Sequence, residues 1–206
     1  MLSLADLLLL HLVIVGCYTM PEACRVTASS ESEAISAVFA DCFAETYKTM
    51  LVGGGDEPFY QPSSAGHEFH QIVYRADYAA SALHEVAHWC IAGQARRQLA
   101  DYGYWYEPDG RNIETQRVFE RVEVRPQALE CLFSIAAGRS FGVSIDNLGG
   151  DEIDPFPFQL AVWQQVQVYL RQGLPARAEQ FRCALADYCG TVRILRELEV
   201  PLIYIL

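Results

Sequence analysis

The chain has 206 residues, enough for one domain with a real core and no need of disulfides or a second chain. Hydrophobic residues make up 51% and charged residues 20%, a globular balance that excludes a disordered or fibrous chain. The formal net charge is -11, which excludes general affinity for nucleic acid, because phosphate binding is driven by Lys and Arg.

The chain opens with an apolar run, Leu7 to Val15, broken only by His11. It is too short to span a bilayer, which takes about 20 apolar residues, so no membrane partner is expected. No Lys or Arg precedes the run, and Asp6 sits where a secretory leader carries positive charge. The segment is read first as a misplaced start, with translation beginning at Met20. A membrane-associated leader comes second and a folded element third.

Glu31 to Met50 reads as an amphipathic helix. Ile35, Val38, Phe39, Cys42, Phe43 and Tyr47 recur at three- and four-residue spacing and make one apolar stripe. Gly53-Gly54-Gly55-Asp56 reads as a plain turn, since no Gly-Lys-Ser/Thr follows to make a phosphate loop. Phe59 to Gly66 continues as loop or edge. Gln71 to Arg75 is a short strand, and the nearby His67 and His70 are read as surface residues.

Tyr78 to Ala100 is the strongest helical segment, with Asp77 as its cap. Tyr102 to Tyr106 is an aromatic strand or loop, and Glu107 to Arg111 a turn. Thr115 to Val124 forms a helix leading up to Pro126. Pro126 then opens a second helix, Gln127 to Ala137, closed by Gly138. Ser144 to Asp154 is loop. Helices follow at Phe158 to Arg171 and Ala176 to Tyr188, and Leu195 to Leu206 receives no assignment. The expected fold class is α+β, mainly helical: a single compact domain with a zincin-like metal-binding helix and a few short strands.

Seven cysteines occur and none forms a Cys-x-x-Cys pair. The odd count argues against a disulfide framework and for reduced thiols in a reducing compartment, hence the cytoplasm.

Chemistry concentrates in His84-Glu85-Val86-Ala87-His88. Residues four apart on a helix share a face, so both imidazoles can meet one ion from a rigid scaffold. Glu85 is rotated about 100° from His84 and lies at the edge of such a site. In zinc peptidases a glutamate at this place is the general base for metal-bound water. A third ligand is needed, and no His follows His88. Glu114, Glu120, Glu123 and Glu130 are the carboxylates at loop-and-helix distance. Glu123 is the choice, because an acid flanked by Val122 and Val124 is expected to face inward, where its charge needs a partner. Glu120 is the reserve. Two His and one carboxylate leave positions open, which suits Fe(II) and oxygen activation as well as catalytic zinc with water.

Around this helix stand Ala80 to Gly93, Ala95-Arg96-Arg97 and Asp101 to Tyr106. Pro108-Asp109-Gly110-Arg111, Val122-Glu123-Val124, Pro126 to Leu129 and Asp146-Asn147-Leu148 follow, and Gly55-Asp56-Glu57-Pro58 lies upstream. Together these motifs resemble the bacterial elongation factor P hydroxylase family. The resemblance runs from about Ala34 to about Tyr188. Three stretches result: residues 1–30 as an unmatched extension, 31–190 as the hydroxylase domain, and 191–206 as a tail without assignment.

The resemblance implies a non-haem iron enzyme that hydroxylates the β-lysylated lysine of translation elongation factor P, with dioxygen as co-substrate. By position, His84 and His88 become ligands and Glu123 is matched to the carboxylate. Glu85 lines the site. The helix-borne set departs from the His-x-Asp pattern of oxoglutarate oxygenases, so no oxoglutarate site is inferred. Tyr104 and Tyr106 are candidates for the substrate channel wall, against plain core packing. Asp109 and Arg111 are candidates for substrate contact, against a turn salt bridge. The acidic surface suits a modified lysine with two amines. A monomer is expected. The competing reading is a zinc metallopeptidase using His84, His88 and Glu85; a third is a non-enzymatic protein with a structural metal.

Overall fold

The computed structural model describes residues 28–100, 110–147 and 153–206. The N-terminal segment, Tyr104, Tyr106 and Asp109 lie outside the described residues. Among those described, five helices surround one core and a three-stranded sheet covers part of it: α1 (Ala28–Tyr47), β1 (Thr49–Gly55), β2 (Phe59–Gln61), β3 (His70–Arg75), α2 (Ala79–Ile91), α3 (Ile113–Ala136), α4 (Phe156–Gln172) and α5 (Ala176–Cys189). This is the α+β, mainly helical class read from the sequence. No helix of the described residues is long and apolar enough to cross a membrane.

The apolar stripe of α1 becomes the core. Phe39 and Phe43 are fully buried and Ile35 and Val38 nearly so. Phe39 packs edge-on against Phe43 at 5.0 Å and against Trp89 of α2 at 5.2 Å. Phe133 of α3 meets Phe181 of α5 edge-on at 5.1 Å. Burying one such ring is worth roughly 1.5–3 kcal/mol, so this cluster ties four helices together.

The sheet order is β1-β3-β2, with β1 parallel and β2 antiparallel to β3. Gly53 and Gly55, read as part of a turn, instead lie in β1. A Cβ on Gly53 would come within 2.7 Å of the Tyr74 hydroxyl, and one on Gly55 within 2.7 Å of Val73 Cγ1. The glycines serve close approach of strands rather than a free loop. Phe59 to Gln61 is the short antiparallel edge.

β3 runs almost directly into α2, so the sheet fixes where the metal-type helix starts. Asp77 does not cap it. Tyr78 holds the N-cap position with no side-chain cap bond, and Ser81 Oγ accepts from Arg75 N at 3.0 Å instead. The helix also stops earlier than its apolar pattern suggests. Ala92 is extended, and the chain goes on to a 3-10 turn at Arg96–Gln98. Two guanidiniums take over the free carbonyls: Arg97 Nη1 donates to Ala92 O at 2.7 Å, and Arg177 Nη2 donates to the carbonyls of Trp89, Cys90 and Ala92. Positive charge at a helix C-terminus opposes the dipole and satisfies its orphan acceptors.

The two helices expected on either side of Pro126 are one. α3 runs unbroken through Pro126, with Asn112 Oδ1 accepting from Thr115 N at its start. An interior proline costs about 3 kcal/mol, because one carbonyl loses its donor and the ring crowds the preceding turn. Here Ala128, Leu129, Leu132 and Phe133 are fully buried on the following turns, and their packing outweighs that cost.

Residues 191–206, left without assignment, pack onto the helices. Trp163 Nε1 and Gln167 Nε2 of α4 both donate to Val200 O, at 2.9 and 3.0 Å, and Ile205 is buried. The five cysteines among the described residues are free thiols.

Candidate metal centre

α2 and α3 pack side by side and meet through polar groups. His84 and His88 project from α2, one turn apart, and their Nε2 atoms lie 3.0 Å from each other. From α3 the Glu123 carboxylate faces both: Oε1 lies 3.3 Å from His88 Nε2 and Oε2 3.6 Å from His84 Nε2. The three side chains offer ligand atoms all within 4.8 Å of one another.

Glu123 is 3% exposed, and its Oε2 is buried without a hydrogen-bond partner. An anionic oxygen left so is expensive unless a cation meets it. Two imidazole nitrogens and one carboxylate form a mixed N/O set that fits a divalent transition metal with open positions. The residues present therefore fit a divalent metal of the iron or zinc kind.

The electrostatics favour a charged cluster. Burial alone would lower the pKa of His84, but the Glu130 carboxylate, by charge and hydrogen bond, and then Glu123 and Glu85 raise it to about 10. Burial alone would raise the pKa of Glu123, but His88 and then His84 hold it down to about 2. Glu85 is half-buried, and burial raises its pKa despite the opposing pull of His84 and His88.

Other candidates fall elsewhere. Glu120 lies outside the three-residue cluster, one turn before Glu123, and accepts from Gln116 Nε2 at 3.4 Å. Arg111 is buried at 4% exposure. Its Nε donates to Gln116 Oε1 at 2.8 Å, its Nη2 reaches the carbonyl of Asp146, and its guanidinium lies 4.0 Å over the Phe119 ring. Its backbone N–H donates to Asn147 Oδ1 at 3.0 Å, and Asn147 Nδ2 donates back to its carbonyl at 3.1 Å. These bonds join the start of α3 to the 141–147 stretch. His67 is exposed, and His70 Nδ1 accepts from Ser63 N at 2.9 Å, away from α2.

Glu130, one of the four carboxylates within reach of the helix, meets His84 from the other side: its Oε2 contacts His84 Nδ1 at 2.8 Å, the nitrogen on the far side of the ring from Glu123. Its signal was its spacing: Glu123 and Glu130 are seven apart, which puts both on one face of α3.

Comparison with known proteins gives the family. The model of the elongation factor P hydroxylase family matches residues 38–198. The chain belongs to that family. It is also similar to the elongation factor P lysine hydroxylase of Haemophilus influenzae, with 51% identity over 159 residues, 77% of this chain and 89% of that protein. The matched span contains β1 to β3, all of α2 and α3, and every residue of the cluster.

Proposed function

We propose that the chain hydroxylates the β-lysylated lysine of translation elongation factor P, in the cytoplasm, as a metal-dependent and monomeric enzyme. The observation that carries this reading is the cluster of half-buried His84 and His88 with buried Glu123, inside a chain that belongs to a hydroxylase family. His84, His88 and Glu123 would hold Fe(II), and iron there would supply the activation of dioxygen. The rigid α2 scaffold sets the two imidazoles in place before metal arrives, and α3 brings the carboxylate.

Glu85 lines the site beside the ligands. The -11 charge of the chain suits a substrate side chain that carries two amines. Tyr104, Tyr106 and Asp109 remain our candidates for substrate contact; Arg111 is buried and committed to joining α3 to the 141–147 stretch. The peptidase alternative, with zinc and Glu85 as base, finds no support: the family and the similar Haemophilus protein are hydroxylases.

The test is to load the purified chain with Fe(II) and incubate it with β-lysylated elongation factor P in air, with a chemical reductant supplying the two electrons that take the second oxygen atom to water. Mass spectrometry should show a gain of one oxygen on the modified lysine. Peptide fragments in its place would support the peptidase, and an unchanged substrate would overturn the proposal.

A further inference from the structure

We infer that Glu130 is the positioning residue of the site: its carboxylate accepts the Nδ1–H of His84 and so presents His84 Nε2 to the metal. The inference rests on the reading of His84, His88 and Glu123 as ligands.

The geometry is specific. A free imidazole can bind metal through either nitrogen, and its ring can turn about the Cβ–Cγ bond. In this chain each nitrogen of His84 has its own carboxylate. Nδ1 lies 2.8 Å from Glu130 Oε2, within hydrogen-bond reach, while Nε2 lies 3.6 Å from Glu123 Oε2, too far for one. A carboxylate only accepts, so the first contact keeps a proton on Nδ1. Nε2, 3.0 Å from His88 Nε2 and beside Glu123, is then the nitrogen that gives up its proton to a metal. The Glu130 side chain is only 13% exposed, so water competes poorly for the contact.

The fold supplies the arrangement through helix spacing. Glu123 and Glu130 stand two turns apart on α3, and His84 sits between them from α2. Leu129 and Cys131, on either side of Glu130 in sequence, are fully buried, which locks this turn of α3. A carboxylate on the outer nitrogen of a metal-bound histidine fixes its tautomer and orientation and raises its basicity, and losing it costs about 10- to 100-fold in metal affinity.

Two measurements test this. In the first, the unaltered chain is loaded with Zn(II), and long-range proton–nitrogen NMR correlations identify the protonated nitrogen of His84. We expect Nδ1 to carry the proton, with a strongly deshielded resonance that moves upfield in Glu130→Gln. A metal-bound Nδ1, or a proton resonance unmoved in the variant, would overturn the inference. In the second, Co(II) affinity is measured by competition with a chelator. Glu130→Leu, which keeps the bulk and removes the acceptor, should bind about 10- to 100-fold more weakly, and Glu130→Gln should fall between it and the parent. Affinity in Glu130→Leu within twofold of the parent would contradict the inference. Failure of the unaltered chain to bind Zn(II) or Co(II) at all would instead sink the ligand assignment beneath it.

Discussion

The Glu123 carboxylate of α3 meets His88 Nε2 of α2 at 3.3 Å, while its second oxygen lies buried without a hydrogen-bond partner. Burial alone would raise its pKa, but in the metal-free chain the two imidazoles are its charge partners and hold it down to about 2. Removing one partner of such a pair leaves the other charge uncompensated and destabilises the fold. Glu123→Leu should therefore abolish Co(II) binding and also lower the melting temperature of the metal-free protein. Thermal unfolding in excess chelator checks it. An unchanged melting temperature in Glu123→Leu would mean that the histidines need no charge partner.

Metal should stabilise the parent through the same residues. A ligand at 100 times its Kd adds about 2.7 kcal/mol to the folded state. For a chain of this size that raises Tm by about 5–10 °C. Differential scanning calorimetry with and without metal should show this rise in the parent and none in His84→Ala or His88→Ala. An equal rise in either variant would remove that histidine from the ligand set.

Arg182 supplies an independent test away from the site. Its guanidinium is fully buried, and it donates to both Glu179 oxygens, Nε at 3.0 Å and Nη2 at 2.8 Å. Burial raises the pKa of Glu179, but the Arg182 hydrogen bond and charge outweigh it and hold the carboxyl below its ordinary value. A depressed carboxylate contributes stability that is complete above its unfolded pKa, near 4.3, and is lost as pH falls through the lower folded value. Glu179→Gln should then flatten the acid limb of a Tm–pH profile. It should destabilise the chain at neutral pH by about 1–3 kcal/mol, less than a fully buried pair because Glu179 is partly exposed. A profile parallel to the parent's would contradict this.

Arg177 closes the C-terminus of the helix that carries both histidines. Nη2 donates to three carbonyls, and the guanidinium stacks 4.8 Å above the Trp89 ring. A lysine ammonium lacks the planar face that stacks there. Arg177→Lys should cost about 1–2 kcal/mol. Amide hydrogen exchange should quicken at the last turn of α2, with the sheet unaffected. Unchanged protection in that turn would show that the cap is dispensable.

Some of this was legible from the residues and some was not. The histidine pair could be placed because a four-residue spacing has one meaning on a helix. Glu123 is inward for a reason its sequence neighbours do not carry. Flanking valines mark an inward residue on a strand, where neighbours alternate, but α3 is a helix and Val122 and Val124 are both half-buried on other faces. The residue is inward because it faces α2, a tertiary fact. Pro126 misled in the same way: local chemistry predicts a break, and packing of the next turns overrides it. Gly53 and Gly55 read as a turn because their use, letting Tyr74 and Val73 approach β1, depends on pairing that no local pattern shows. Arg111 reads as a turn charge because its hydrogen-bond partners, Gln116 excepted, lie some 35 residues further along the chain.

The most direct measurement uses isotopically labelled oxygen. The Fe(II)-loaded chain is incubated with β-lysylated elongation factor P under ¹⁸O₂, with a chemical reductant to take the second oxygen atom to water, and the modified lysine is weighed. One ¹⁸O atom should enter that side chain with the parent, and none with His84→Ala. Oxygen drawn from water instead, or equal incorporation by His84→Ala, would contradict a hydroxylase built on the His84, His88 and Glu123 cluster.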